Sequence, residues 1–278
     1  MKIYKGTAAV TAVAIALMAA AIASVLWYQH DIVRRAERDA YRTLQGSAAE
    51  QALLFKTLID GQFQILSVIA QSVSPADDKN SGRLTADMER LAGGTGFKRL
   101  VAIGADGRAC TSDGHRLDAS WSVSLKSCLR GEHSLVKVES GTIDNIPIFV
   151  FSVPLKDKGR NVGALLGVYD ESNFIDTIIS KAYGEAAYSF ICDSAGKIIV
   201  RSRHGAFIGQ SRSIFTTLDK TDLAGTEKIR TVEDDLKNSR AGGLAYEFSG
   251  SRRYAVYQPL HINGWTIFNV VPEAAARG

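Results

Sequence analysis

Six residues between Trp121 and Asp170 are of the types that could hold a small molecule: Trp121, Ser124, Lys126, Arg130, Phe151 and Asp170. Lys126 or Arg130 could grip a carboxylate, the first as a point charge and the second through a planar fork. Asp170 could hold an ammonium group. Trp121 and Phe151 could supply the apolar wall that small-molecule pockets need, with Ser124 as an adaptable hydrogen-bonding group. Each has a plainer reading. Asp170 stands just before Glu171 and Asn173, where helix caps belong. Trp121 could be ordinary core, and Lys126 and Arg130 are four apart, as on a solvated helix face.

No arrangement for covalent or metal chemistry competes with these. Cys110, Asp113, His115, Cys128 and His133 fall within 24 residues, but none of their spacings matches the tight ligand pairs of zinc sites, so no metal and no cofactor is expected. There is no G-x-S-x-G elbow, no phosphate-cradling G-x-x-x-x-G-K-[ST] loop and no H-E-x-x-H. Asp234-Asp235 is a paired carboxylate, but it lies in the polar stretch Lys228 to Arg240 and reads as a solvated helix. His30, His204 and His261 show no sequence partner. Cys110 and Cys128 are 18 apart, which permits a disulfide in an oxidising compartment without fixing it. Cys192, in Tyr188 to Cys192, reads as a small buried hydrophobe.

The elements that must position these residues begin with a charge-free apolar run, Gly6 to Tyr28, 23 residues long and ending in Trp27-Tyr28. It is long enough to cross a bilayer and carries an interfacial aromatic pair. A cleaved signal peptide is the rival reading, with Lys2 and Lys5 before the run and Ala21-Ile22-Ala23 as a cleavage site. The run is longer than a usual signal core and stays apolar past that point, so an uncleaved anchor is expected. Either way the body lies outside the cytoplasm.

From His30 to Ser74 apolar residues recur at Val33, Ala36, Ala40, Leu44, Ala48, Leu54, Leu58, Ile65 and Ile69. Spacings of three, four and seven predict one long amphipathic helix, stopped at Pro75. A rod of that length needs a globular body alongside it, a partner helix, or both. Net charge is +4 with no basic block, which argues against nucleic acid as a partner.

Then the period changes from helix to strand. Arg99–Ile103, Arg108–Ser112, Ser134–Glu139, Pro147–Leu155 and Val162–Asp170 read as strands. Asp106-Gly107 supplies the turn between the first two. Trp121–Leu129 and Glu171–Lys181 read as helices, with a shorter helical piece around Leu84–Leu91. The pattern then repeats: Tyr188–Cys192, Lys197–Arg201, Gly242–Phe248, Arg253–Leu260 and Trp265–Val271 are strands, with Ser194-Ala195-Gly196 as the first turn. Phe149-Val-Phe-Ser-Val-Pro154-Leu matches Tyr254-Ala-Val-Tyr-Gln-Pro259-Leu. Proline has no N–H for a sheet ladder, so Pro154 and Pro259 must lie at strand ends or irregularities. The same exception at the same place predicts a duplication, each half an antiparallel sheet with helices on its faces.

An anchor, a long helix and two tandem sheets of this kind resemble the double Cache (PAS-like) family, the extracytoplasmic sensor modules of bacterial transmembrane receptors. Leu129-Arg130-Gly131-Glu132, Phe149 to Pro154, Gly163 to Asp170 and Gly264-Trp265 to Pro272 carry the resemblance, over roughly Gln29 to Glu273. It implies an α+β chain: a cytoplasmic tip and transmembrane helix (1–28), a stalk helix (29–74), a membrane-distal Cache domain (75–182), a membrane-proximal one (183–273) and the start of a second membrane span (274–278). It implies a small-molecule ligand such as an organic acid or amine in the distal domain, and location in the bacterial cell membrane through residues 6–28. The stalk helix implies a homodimer. The implied output module, most like a diguanylate cyclase and otherwise a chemotaxis rod or histidine kinase, is not in this chain, so no enzyme activity is expected of it. Family members that bind free amino acids use an Arg-x-Trp-Tyr run and a later Asp. Those positions fall on Ser122, Ser124, Leu125 and Asp170. Only the last matches, so an α-amino acid held in that manner is not expected. A pilin-like or envelope structural protein, and a membrane-anchored enzyme, are the alternative classes.

Overall fold

The computed structural model describes residues 3–73, 81–118, 122–138, 147–175, 178, 182–202, 212–218, 225–248 and 250–277. One helix, α1, runs without a break from Ile3 to Ser72. At 1.5 Å per residue it is about 105 Å long. Its 70 residues contain no proline, and the periodic stripe continues along it. α2 (Ser81–Gly93) follows.

The first sheet contains β1 (Arg99–Gly104), β2 (Arg108–Thr111), β3 (Arg116–Asp118), β4 (Ser134–Val138), β5 (Ile148–Asp157) and β6 (Arg160–Asp170), with α3 (Val123–Leu129) between β3 and β4 and α4 (Ser172–Ile175) after β6. Its spatial order is β3-β2-β1-β6-β5-β4. A 3₁₀ turn at Gly184–Ala186 leads into the second sheet. That sheet holds β7 (Tyr188–Cys192), β8 (Ile198–Arg201), β9 (Gly242–Phe248), β10 (Ser251–Pro259) and β11 (Thr266–Pro272), with α5 (Ile214–Leu218), α6 (Gly225–Lys237) and α7 (Glu273–Ala276). Its order is β8-β7-β11-β10-β9. All pairings are antiparallel. Apart from the three-residue β3, the two sheets have one topology, so the duplicated sequence pattern is a duplicated fold. Pro259 closes β10, and Pro154 lies just before a register shift at Leu155/Lys156.

α1 covers the inner face of both sheets. Ala40, Leu44 and Ala48 pack on Tyr254, Val256 and Val271 of the second. Farther along, Ala52, Phe55, Ile59, Leu66 and Ile69 pack on Leu100, Phe149, Phe151, Val153, Leu165 and Tyr169 of the first. At Gly167, on this face, an added Cβ would stand 2.5 Å from the Phe97 ring. Only glycine lets that ring lie flat on the sheet.

By length and composition Glu37–Ser72 passes as a membrane-spanning helix among the described residues, with the shorter apolar stretch Leu17–Tyr28 before it. Burial separates the two. Glu37–Ser72 carries the stripe that lies on the sheets, so it is a core helix. From Leu17 to Tyr28 every side chain is exposed.

The cores of the two sheets are joined. Trp265, between β10 and β11, packs on Phe55 of α1 (6.5 Å) and on Phe149 of β5 (5.9 Å). Asn263 Nδ2 donates to the Leu135 carbonyl of β4 at 2.9 Å. Lys137 of β4 pairs with Glu171 at 3.1 Å, with side chains 10% and 15% exposed, and donates to the Ile199 carbonyl of β8. An ion pair this shielded is costly to break from one side.

Trp265→Ala opens a cavity between the sheets and is expected to destabilise the protein by about 3–5 kcal/mol. The full-length protein is expected to lose both sheets in one thermal transition, followed by far- and near-ultraviolet circular dichroism. Two resolved transitions in the wild type would contradict a shared core.

Candidate functional site

The outer face of the first sheet is covered by α3, and the local sequence explains why the helix sits there. Ser122 caps it, its Oγ accepting from the Leu125 N–H at 3.4 Å. Gly131, at φ +88°, ends it in a left-handed turn. There Arg130 and Glu132 N–H groups donate to the Ser127 carbonyl and Gly131 N–H to Cys128. This turn leaves the last carbonyls satisfied. Asn161 of β6 pins the same end, donating to the Leu129 carbonyl at 3.2 Å. Leu125 and Cys128 face downward onto Val101, Ile103, Ala109 and Ala164.

Alternation along the strands assigns every residue of this sheet to one face. Ala164 and Leu166 lie under α3, so Val168 and Asp170 share their face. Phe149, Phe151 and Val153 lie against α1, so Val150 and Ser152 point the other way, toward α3.

Of the residues singled out by type, the structure brings Ser124 and Asp170 to the α3 face. Ser124 is buried there. Asp170, half-buried at the end of β6, accepts from the Ser172 N–H at 2.8 Å and so starts α4. Phe151 is a correction. It lies on the opposite face, edge-on to Phe63 (5.1 Å), Phe97 (5.9 Å) and Tyr169 (5.9 Å), in the core beneath α1. Lys126 and Arg130 are both exposed, and Arg130 pairs with Glu132 at 2.7 Å and donates to Ser127 Oγ at 3.3 Å. Trp121 lies outside the described residues.

The disulfide is corrected too. Cys110 and Cys128 are free. Cys110 belongs to the core beneath α1 and Cys128 to the core beneath α3, so the sheet itself separates them. Among the described residues no group of three or more His, Cys, Asp or Glu side chains lies close enough to hold a metal ion. Burial pushes the Cys128 thiol up to about 12, and burial with the neighbouring Asp193 raises that of Cys192. Asp235, read as solvated, is half-buried and accepts from the Tyr257 hydroxyl at 2.6 Å, so it braces α6 against β10.

Sequence reasoning missed Ser152. It is 0% exposed, in the middle of β5. Its hydroxyl has no hydrogen-bond partner among the described residues. A buried hydroxyl without a partner costs roughly 1–3 kcal/mol. The signal was legible: one serine inside Phe149-Val-Phe-Ser-Val153. Arg99 shares this face, since Val101 and Ile103 do, but its guanidinium is held by Asp113 at 2.7 Å. Beyond Thr111, whose hydroxyl is taken by Asp113 and the His115 backbone, the α3 face offers the hydroxyls of Ser124 and Ser152, the Asp170 carboxylate and aliphatic walls. That set can bind and orient a small molecule; it contains no activated nucleophile.

The family profile described as Cache domain, dCache_1, matches residues 28–278, and the chain belongs to that family. Among curated proteins none matches it by sequence. Solved structures share the fold. The ligand-binding domain of the Pseudomonas aeruginosa amino-acid chemoreceptor PctB, in complex with L-Arg, superposes with a TM-score of 0.65 at 17% identity, over 86% of this chain and 97% of that one. That of the Pseudomonas fluorescens chemoreceptor CtaA, in complex with L-leucine, gives 0.66 at 15%, over 88% and 100%. That of the Campylobacter jejuni chemoreceptor Tlp3, in complex with 4-methylisoleucine, gives 0.61 at 10%, over 88% and 94%. At these identities the likeness is one of fold.

The buried thiols give a direct check. In this chain, when native, none of its three cysteines is expected to react with Ellman's reagent at pH 8 within minutes, and all three are expected to react in guanidinium. Electrophoretic mobility is expected to be the same with and without reductant. A shift on reduction would contradict the assignment of Cys110 and Cys128 to opposite faces.

Proposed function

We propose that this chain is the ligand-sensing part of a membrane receptor, anchored through residues 6–28, with its body outside the cytoplasm and its ligand held between α3 and the first sheet. The observation that carries this reading is the unpartnered Ser152 hydroxyl, buried beneath α3 in a domain of Cache type. A ligand there would satisfy a group that the protein leaves unsatisfied. The exposed Leu17–Tyr28 stretch supports the anchor.

Local chemistry narrows the ligand. Asp170 is the carboxylate on this face, Ser124 and Ser152 are the hydroxyls, and Arg99 is engaged by Asp113. The positions where amino-acid-binding relatives place Arg and Tyr are Ser122, which caps α3, and Leu125, which is core. An amine-bearing molecule fits this set better than an organic acid. Its binding would favour one packing of the sheet on α1, by as much as its affinity differs between packings. The Lys137–Glu171 pair and Trp265 would pass that change to the second sheet, and α1 would carry it to the membrane. The output module would be a diguanylate cyclase, chemotaxis rod or histidine kinase.

A pair of such chains would meet along α1. Leu53 and Val68 are 65% and 66% exposed. With Gly46, Thr57 and Gln64, also exposed, they form a second stripe facing away from both sheets.

Thermal-shift screening of the full-length protein in lipid nanodiscs is expected to find stabilisation by an amine in a panel of ethanolamine, putrescine, glycine, L-leucine, lactate, citrate and glucose. Asp170→Asn is expected to weaken the hit at least tenfold, and Ser152→Ala severalfold. Stabilisation by none of them, or by lactate and citrate alone, would count against the site.

For the dimer, Thr57→Cys in the full-length protein is expected to give a disulfide-linked pair under mild oxidation, since the native thiols are buried. Glu50 and Gln64 variants to cysteine should follow it, while Lys56→Cys, off the stripe, should not. Equal cross-linking at all four positions would mean random collision.

A further inference from the structure

A cleft of about 330 Å³ opens at the free edge of the first sheet, between α1 and the far end of β5. It falls within the size range of small-molecule sites. Its position follows from the strand lengths. β4 pairs with β5 only as far as Ser134↔Ser152, while β5 continues to Asp157. Beyond that point the turn after α3 runs alongside β5, and the gap between turn, strand and α1 is the cleft.

The lining has a defined chemistry. Ala70 of α1 with Val153 and Pro154 of β5 form its apolar side. Ser67 and Gln71 of α1 supply a hydroxyl and a carboxamide. His133 of the turn and Lys156 of the strand also line it, and no carboxylate does. Lys156 makes no ion pair among the described residues, whereas Arg130 and Glu132 on the same turn are spent on each other. The His133 ring is held in place, stacked on Phe63 of α1 at 5.2 Å and 24°, and Phe63 in turn meets Phe151 edge-on. An ammonium and an imidazole N–H across an apolar floor suit a carboxyl group with a short hydrocarbon body.

We propose that this cleft binds a small carboxylate, its carboxyl group held by Lys156 and His133 and its body against Ala70, Val153 and Pro154. The cleft shares no residue with the set Ser124, Ser152 and Asp170, and its charge preference is opposite. It touches α1 and the sheet together, and it adjoins the turn that ends α3. A ligand here wedges the joint between stalk and sheet, so it would modulate the same packing from the edge of the sheet.

The test is titration calorimetry on the full-length protein in nanodiscs with acetate, propionate, benzoate and succinate. At least one is expected to bind with one site per chain. Lys156→Gln is expected to weaken it at least tenfold and His133→Phe, which keeps the ring stack and removes the donor, at least threefold. Both positions are exposed, and circular dichroism verifies that the variants fold. Asp170→Asn is expected to leave carboxylate binding unchanged, which separates this site from the amine site. Binding by none of the four acids, binding kept within twofold in both cleft variants, or binding abolished by Asp170→Asn would each overturn the proposal.

Discussion

The structure depends on one constraint: a single helix must serve as the inner layer of two sheets at once. Each sheet has helices on its outer face, α3 over the first and α6 over the second. The inner face of each is apolar and has α1 to cover it. Burying a Leu, Ile or Phe side chain contributes roughly 1.5–3 kcal/mol, and the stripe from Ala40 to Val73 does this along about 50 Å of helix. Ala40, Leu44 and Ala48 pack against the tyrosine-bearing second sheet, and Phe55, Ile59 and Leu66 against the aromatic first.

Sharing one helix leaves little freedom for the two sheets to move apart. Trp265, the Asn263 amide and the Lys137–Glu171 pair tie them directly. The proposed signal would therefore lie in how each sheet seats on α1. The polar groups reflect that division. Those that join the sheets are paired, while an unsatisfied hydroxyl lies beneath α3 and an open cleft at the edge of β5.

Much of this was legible in the residues. The strands announced themselves through β-branched and aromatic runs between Gly turns, and the duplication through the repeated proline. α1 was legible from its period. What failed was the assignment of faces. A strand covered on both sides reads as a continuous apolar run, and Phe149-Val-Phe-Ser-Val has no polar alternation to say which side Phe151 takes. The same blindness allowed Cys110 and Cys128 to look like neighbours, because their separation in sequence says nothing about which side of a sheet each occupies. β3, three residues long, is too short to carry a period. Lys126 and Arg130 are exposed, and Ser152 was a lone hydroxyl whose meaning appears only once its face is known.

The end of β6 shows what alternation makes available. Asp170 accepts from the Ser172 N–H on the α3 side, while Glu171, the next residue, reaches Lys137 beside the second sheet. One peptide bond separates a carboxylate directed at the outer layer from one that fastens two layers together. On the proposed reading of the site, a lineage can exchange the first by a single-codon change and retain the second, so that preference for what is recognised and the mechanical linkage between halves are free to drift independently.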